Sequence, residues 1–190
     1  MNRLRVILGA GNTAQEGWIS TQEHDLNLLN WNDFERKFGR ESVDAFLSEH
    51  VWEHMTEEQG RTAAANCFAA LKPGGYIRCA VPDANFRNAA YQQMVQVGGP
   101  GPSDHPAASH KIVYSASQLA DVFEAAGFEV TLLEYCDNNG DFHFNWWNPD
   151  DGKIGRSYRF DTRNSPEALG MVSIILDARK PLVIPAQRNH

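Results

Sequence analysis

The chain has 190 residues, a length that suits one domain over 1–190 with a sizeable core. An apolar content of 42% and a charged content of 22% are those of an ordinary globular protein. A formal net charge of −7 supplies no basic field for phosphates, which argues against broad nucleic-acid or anionic-membrane binding. Leu4 to Leu8 is an apolar strand ending in Gly9-Ala10-Gly11, and Gly17 to Thr21 reads as a second short strand with no helix fitting between the two. Asp25 to Leu29 reads as a third short segment, and Trp31 to Phe38 as one or two helical turns capped by Asn30 or Asn32.

The stretch from Ser42 to Asp83 is the clearest in the chain. Val43, Ala45, Phe46 and Leu47 form a buried strand that ends in Ser48-Glu49-His50. Thr56 stands three residues before Gln59, the spacing of a capping box. Ala63, Ala64, Cys67, Phe68 and Leu71 then recur along one helix face. Lys72-Pro73-Gly74-Gly75 breaks that helix, and Tyr76 to Val81 is the next strand. This is a βαβ crossover with polar residues at the carboxyl ends of both strands, the edge where open α/β sheets bind ligands.

Ala84 to Val97 has helical character, and the Gly/Pro-rich stretch 98–106 is a loop. Ser115 or Ser117 caps a helix through Leu119, Val122, Phe123 and Ala126, closed by Gly127. Phe128 to Tyr135 is a strand, Phe142 to Trp147 alternates like half a hairpin, and Gly170 to Ala178 is a last strand. Strands alternating with helices predict a mostly parallel sheet. Cys67, Cys79 and Cys136 lie far apart and read as buried free thiols, which favours a reducing, cytoplasmic compartment. The N-terminus has no signal-peptide apolar core, and no apolar run is long enough to span a membrane.

In this order the motifs resemble the class I S-adenosylmethionine-dependent methyltransferases. Gly9-x-Gly11 follows the first strand, Asp25-Leu26 the third segment, and Ser48 to His54 the fourth strand. Leu71 to Gly75 precedes the fifth, and His110-Lys111-x-x-Tyr114-Ser115 leads into a helix ending Ala125-Ala126-Gly127-Phe128. Closer still, the chain resembles a group of small predicted methyltransferases of unknown substrate. Their pattern appears here as Gly17-Trp18-Ile19, His50 to His54, Arg156 to Asn164, and Asp177-Ala178-Arg179-Lys180-Pro181. The match covers nearly the whole chain.

The resemblance implies an α/β, Rossmann-like methyltransferase fold: a mostly parallel seven-stranded sheet with an antiparallel last strand and a hairpin-like insertion at 137–164. It implies S-adenosylmethionine as cofactor. Gly9, Ala10 and Gly11 would admit its methionine part, since glycine lets a backbone come close. Gln22 would hold the ribose, Asp25 would accept from the adenine amino group with Leu26 against the ring, and Glu49 and His50 would face the sulfonium. The acceptor is expected to be a small or carbohydrate-like molecule methylated on oxygen or nitrogen, bound by Asp83, Tyr114, Arg156, Arg159, Asp161, Arg163 and Asn164. The same arginine-rich run also fits a solvated hairpin face. His50, Glu53 and His110 are the candidate bases. The family's N-terminal lid helices have no counterpart ahead of the first strand. The loop 98–110 and the insertion are therefore expected to form the acceptor side, alone or with a second copy in a homodimer.

Three departures keep a second reading open. Ile7 stands where the superfamily usually has an acid, Gln22 where it has a carboxylate, and the helix after the glycine turn is missing. A methyltransferase fold that serves as a binding or scaffold protein would tolerate all three. A third reading takes His50-x-x-Glu53-His54 as the metallopeptidase signature of a zinc hydrolase. It needs both histidines on one helix face, and His50 lies ahead of the Thr56 cap, so no metal is expected.

Overall fold

The computed structural model describes residues 3–182. Its elements are β1 (Arg5–Leu8), β2 (Ile19–Ser20), α1 (Trp31–Lys37), β3 (Val43–Glu49), α2 (Glu57–Ala70), β4 (Leu71–Pro82), α3 (Ala89–Val95), α4 (Ala116–Glu124), β5 (Glu129–Cys136), β6 (Phe142–Phe144) and β7 (Ser173–Arg179). The strands form one seven-stranded sheet in the order β2-β1-β3-β4-β7-β5-β6. β1 to β4 run parallel, β7 is antiparallel to both its neighbours, and β6 folds back antiparallel on β5. This is the Rossmann-like sheet that the sequence predicts, with the antiparallel last strand in place.

The seventh strand, however, is not the expected one. Residues 25–29 form turns instead of a third strand. The Asp25 carboxylate accepts the Gln22 N–H (3.1 Å), and the Leu26 N–H bonds the Gln22 carbonyl (2.9 Å). Those bonds close a turn where a ladder would need extended backbone. The hairpin strand β6, paired through Phe142, His143 and Phe144 with β5, makes up the number at the other edge.

The helix ends follow local chemistry. The Thr56 hydroxyl accepts the Gln59 N–H (3.3 Å) and the Gln59 side chain accepts the Thr56 N–H (3.0 Å), a complete capping box on α2. Ser115 and Gln118 repeat it on α4. Asn30 caps α1. α3 is shorter than the expected helix over 84–97, because the Asp83 carboxylate takes the Asn85 N–H (2.8 Å) in a turn and the helix starts only after Asn88. Lys72 to Gly75 form an excursion between the pairs Val43–Leu71 and Ala45–Tyr76. A Cβ at Gly75 would stand 2.9 Å from the Lys72 carbonyl and 3.0 Å from that of Asp44, so only glycine fits this corner.

The two faces of the sheet are covered differently. On one, Val6, Leu8, Phe46, Cys79, Val81, Ile174 and Leu176 pack against Phe34 of α1, Ala63, Ala64 and Cys67 of α2, and Leu119, Val122 and Phe123 of α4. On the other, Ile7, Leu47, Ala80, Leu133 and Ile175 pack against Trp147 and Ile154 of the insertion, with Trp18 and Phe160 beside them. The β1–β2 connection has no helix to cover this face, and the irregular stretch 145–160 takes its place. Burying a side chain such as Ile154 contributes about 1.5–3 kcal/mol, enough to hold coil against a sheet when several act together.

Polar side chains rising from the sheet fasten that coil, three of them by two bonds each; Tyr76 and Arg5 add one each, to the carbonyls of Asp151 and Asp150. Arg78 of β4 donates to both carboxylate oxygens of Asp177 on β7 (2.7 and 2.9 Å) and to the carbonyls of Asn148 (2.9 Å) and Gly152 (2.8 Å). Glu134 of β5 accepts the Trp147 indole N–H and the Tyr158 N–H, both at 2.8 Å. Glu49 of β3 accepts the backbone N–H groups of Gly155 (3.0 Å) and Arg156 (2.8 Å). The three cysteines are free and buried.

Candidate functional site

β1, β2 and β3 all deliver their carboxyl ends to one rim. There Gly9, Gln22, Glu23, Leu26, His50 and Val51, with Leu28, His54, Met55 and Lys111, line a cavity of about 420 Å³. That volume lies within the range of small-molecule sites. Gly9 and Gly11 both have φ near +55°. A Cβ on Gly9 would meet Val51 at 2.8 Å, so glycine there preserves a close approach of backbone to the cavity. Gln22 does not project freely: its amide accepts the Gly11 N–H (3.1 Å) and donates to the Gly11 carbonyl (2.8 Å), which ties the glycine turn to the end of β2. Glu23, the next residue, lines the cavity with no hydrogen bond from its carboxylate among the described residues. Asp25 is spent on its turn and does not line the cavity, whereas buried Leu26 does. Ala10 is buried and packs on the opposite sheet face.

Beside this cavity lies a cluster of histidines around one carboxylate. His50 follows β3 in a left-handed conformation (φ +58°), which costs a non-glycine residue of order 1–3 kcal/mol. Its Nε2 meets the Ser173 hydroxyl at 2.9 Å, and its Nδ1 lies 3.3 Å from Glu53 Oε1. A 3₁₀ turn over Trp52–His54 sets Glu53 inward, 0% exposed. Burial pushes Glu53 up to about 8, against the pull of Arg156. His110 lies across from it, with Nε2 at 3.9 Å from the same oxygen and Nδ1 on the Val95 carbonyl (2.8 Å). His54 packs edge-on against His110, and its Nδ1 meets the Ser109 hydroxyl (2.8 Å). Burial holds all three histidines below the usual imidazole range, His50 furthest, so they are neutral at pH 7. His50, Glu53 and His110, named from sequence as bases, are thus brought together. His110 of loop 98–110 stands beside Glu53, and Arg156 of the insertion beside Glu49 at the end of β3; neither lines the cavity itself.

The residues expected to grip an acceptor separate into three groups. Asp83 is buried and accepts the Cys136 N–H (2.6 Å), joining the end of β4 to β5. Tyr114 is buried against Gly60. Arg159 donates to the Trp147 carbonyl (2.6 Å) with its guanidinium 4.4 Å from that ring, and Asn164 accepts the N–H groups of Gly170 (3.0 Å) and Met171 (2.9 Å). Asp83, Arg159 and Asn164 hold backbone and rings in place, whereas the Tyr114 hydroxyl is buried without a hydrogen-bond partner among the described residues. Asp161 and Arg163 pair with each other at 2.6 and 2.8 Å. Arg156 alone keeps a largely free fork: it is 48% exposed and 3.6 Å from Glu49. Sequence reading passed over Glu23 and Lys111 as cavity residues. Glu23 was legible as the carboxylate next to Gln22, and Lys111 stands in the His110-Lys111-x-x-Tyr114-Ser115 motif, which assigned it no role.

A family model described as a methyltransferase domain matches residues 11–133. The chain belongs to the methyltransferase domain family. Its fold is that of the class I S-adenosylmethionine-dependent methyltransferases, and S-adenosylmethionine is the cofactor of that family. A methyltransferase from Archaeoglobus fulgidus superposes with a TM-score of 0.55 at 13% identity, covering 94% of this chain and 86% of that one. One from Methanosarcina mazei gives 0.53 at 10% identity, over 96% and 95%. A methyltransferase from Haloferax volcanii, solved in complex with a methyltransferase activator, gives 0.54 at 14% identity, over 95% and 83%. Identities this low establish the fold. No curated protein sequence matches. Among the described residues of this methyltransferase domain, no helix is long and apolar enough to cross a membrane.

Proposed function

We propose that this protein binds S-adenosylmethionine in the cavity at the ends of β1, β2 and β3 and transfers its methyl group to a small-molecule or carbohydrate-like acceptor, on oxygen or nitrogen. One observation carries the reading: Gly9, Gln22, Leu26 and His50, drawn from separate motifs, line a single cavity of about 420 Å³. The residues present fit the cofactor. Leu26, Leu28, Val51 and Met55 offer an apolar wall for a flat ring, the Gly9 cradle admits a polar chain, and the Glu23 carboxylate is free to accept from ribose hydroxyls. Gln22 braces the glycine turn, and Glu23 takes the hydroxyl-binding part that Gln22 was expected to play.

When bound, S-adenosylmethionine supplies an electrophilic methyl carbon. The protein's share is alignment, exclusion of water and removal of a proton from a hydroxyl acceptor. His50 is the base in this reading: it lines the cavity, it is neutral, and the Ser173 hydroxyl fixes its ring through Nε2, with Nδ1 3.3 Å from Glu53 Oε1. Arg156 is the acceptor contact, with a fork suited to oxygen-rich molecules. A second reading, a binding or scaffold protein on the same fold, is favoured by the Gln22 amide being committed to Gly11. Calorimetric titration with S-adenosylmethionine and S-adenosylhomocysteine tests the first. Micromolar affinity, roughly −8 kcal/mol, is expected. Absence of binding by folded protein overturns the cofactor site, and binding without turnover on a broad acceptor panel supports the scaffold reading.

A further inference from the structure

We propose that Glu53, His54 and His110 form a binding site for one divalent transition-metal cation of the zinc class, set into the wall of the cavity. One ligand atom from each of the three lies within 4.8 Å of the other two. Two further observations point to a ligand there. Glu53 is 0% exposed, and neither carboxylate oxygen has a hydrogen-bond partner. A carboxylate is rarely buried without a compensating group, and a cation is the group that two unpartnered oxygens lack. The histidines, in turn, are each anchored through Nδ1, His54 by the Ser109 hydroxyl and His110 by the Val95 carbonyl, which leaves Nε2 as the free nitrogen on both rings. Ligating histidines are held in this way, by a second hydrogen bond that fixes ring and tautomer.

The donor set selects the metal. Two imidazoles and one carboxylate suit zinc, cobalt or iron, whereas magnesium and calcium prefer oxygen alone. Ligand atoms on one tetrahedral ion stand about 3.3 Å apart. The His110 Nε2 to Glu53 Oε1 distance of 3.9 Å needs to close by about half an ångström, and the widest pair of the three, within 4.8 Å, by up to about 1.5 Å. Three protein ligands leave a fourth position open, as catalytic zinc sites do. His54 belongs to both the triad and the cavity wall, so that position lies next to the cavity. The set differs from the signature read in the sequence: His50 precedes the 3₁₀ turn and bonds Ser173, and the second imidazole comes from loop 98–110.

This site does not depend on methyl transfer, and its test is direct. The full chain is freed of metal with a chelator and titrated calorimetrically with Zn²⁺. Co²⁺ is followed in parallel by visible absorption, and Mg²⁺ serves as the hard-cation control. One Zn²⁺ per chain with a dissociation constant of about 1 μM or below is expected, together with a low-symmetry cobalt band and no heat from Mg²⁺. His54→Ala sits at the cavity wall, and its fold is checked by circular dichroism. It should weaken Zn²⁺ by more than about tenfold, the scale at which even supporting groups act. Glu53→Gln provides a second variant. Absence of Zn²⁺ binding by folded wild-type protein, or unchanged affinity in both variants, overturns the proposal. The cofactor titration, run on the metal-free chain, reports separately on the methyltransferase reading.

Discussion

Replacing Arg78 with methionine should be among the most destabilising single changes in this protein. The side chain is 2% exposed and makes four hydrogen bonds, two to Asp177 and one each to the carbonyls of Asn148 and Gly152, with its guanidinium 4.9 Å from the Trp147 ring. Methionine fills much of the volume, so the loss is polar. Removing one partner of a buried ion pair costs about 3–5 kcal/mol, because the other charge is left behind. Asp177 retains 20% side-chain exposure, which places this part near the low end, about 3 kcal/mol. The two stranded carbonyls add about 0.5–1.5 kcal/mol each. The sum is roughly 4–6 kcal/mol. Urea unfolding measures it as a drop in midpoint of about 2 M at a slope of 2–3 kcal/mol per molar. The double variant Arg78→Met, Asp177→Leu separates the contributions: it should recover about 3 kcal/mol and leave the carbonyl cost. A loss under about 1 kcal/mol in the single variant, or a double variant as unstable as the sum of both singles, would refute the reasoning.

Three other outcomes follow from the geometry. Glu23→Gln should weaken S-adenosylmethionine about tenfold or more by calorimetry, the worth of a charge-assisted bond, and unchanged affinity would remove Glu23 from the site. Gly9→Ala places a methyl group 2.8 Å from Val51 at a φ of +55°, so it should cost both stability and cofactor affinity; a variant with wild-type binding would show that the turn adapts. Glu134 bears on pH dependence. Burial raises its pKa, even though Tyr158 and Trp147 donate to it. The folded chain therefore keeps a proton that the unfolded chain has lost, and stability falls as pH rises from about 4.3 through the folded value, by up to about 1.4 kcal/mol per pH unit. Glu134→Gln lacks this slope, so its stability relative to wild type should rise over that window in urea titrations at stepped pH. Parallel curves would contradict the assignment.

How much of this was legible in the sequence varies with how local the cause is. α2 and α4 could be read because Thr56 with Gln59 and Ser115 with Gln118 fix their starts within four residues. β3 and β4 could be read because strands buried on both faces are continuous apolar runs. Residues 25–29 misled because leucines alternate there, while a single carboxylate, Asp25, bends the chain into turns. The insertion had no period to detect, since its buried residues, Trp147 and Ile154, meet the sheet from irregular backbone. The glycine turn could be read because its cause is conformational and local. The surroundings of the expected acceptor residues could not: Arg159, Asn164 and Asp83 bind backbone groups that only tertiary contact brings near. The grouping of Glu53 with His110 joins positions 57 apart in sequence and could be seen only once loop 98–110 was placed.

The fastening of the insertion also limits how the protein can be engineered. Its anchors, Glu49, Arg78 and Glu134, belong to three different strands, and Glu49 immediately precedes a cavity residue. Residues 145–160 are therefore not a cassette. A chimera that imports this stretch into another scaffold of the same fold would have to import at least these three strand positions with it. Conversely, any exchange of the insertion here would strand one arginine and two carboxylates under whatever replaced it.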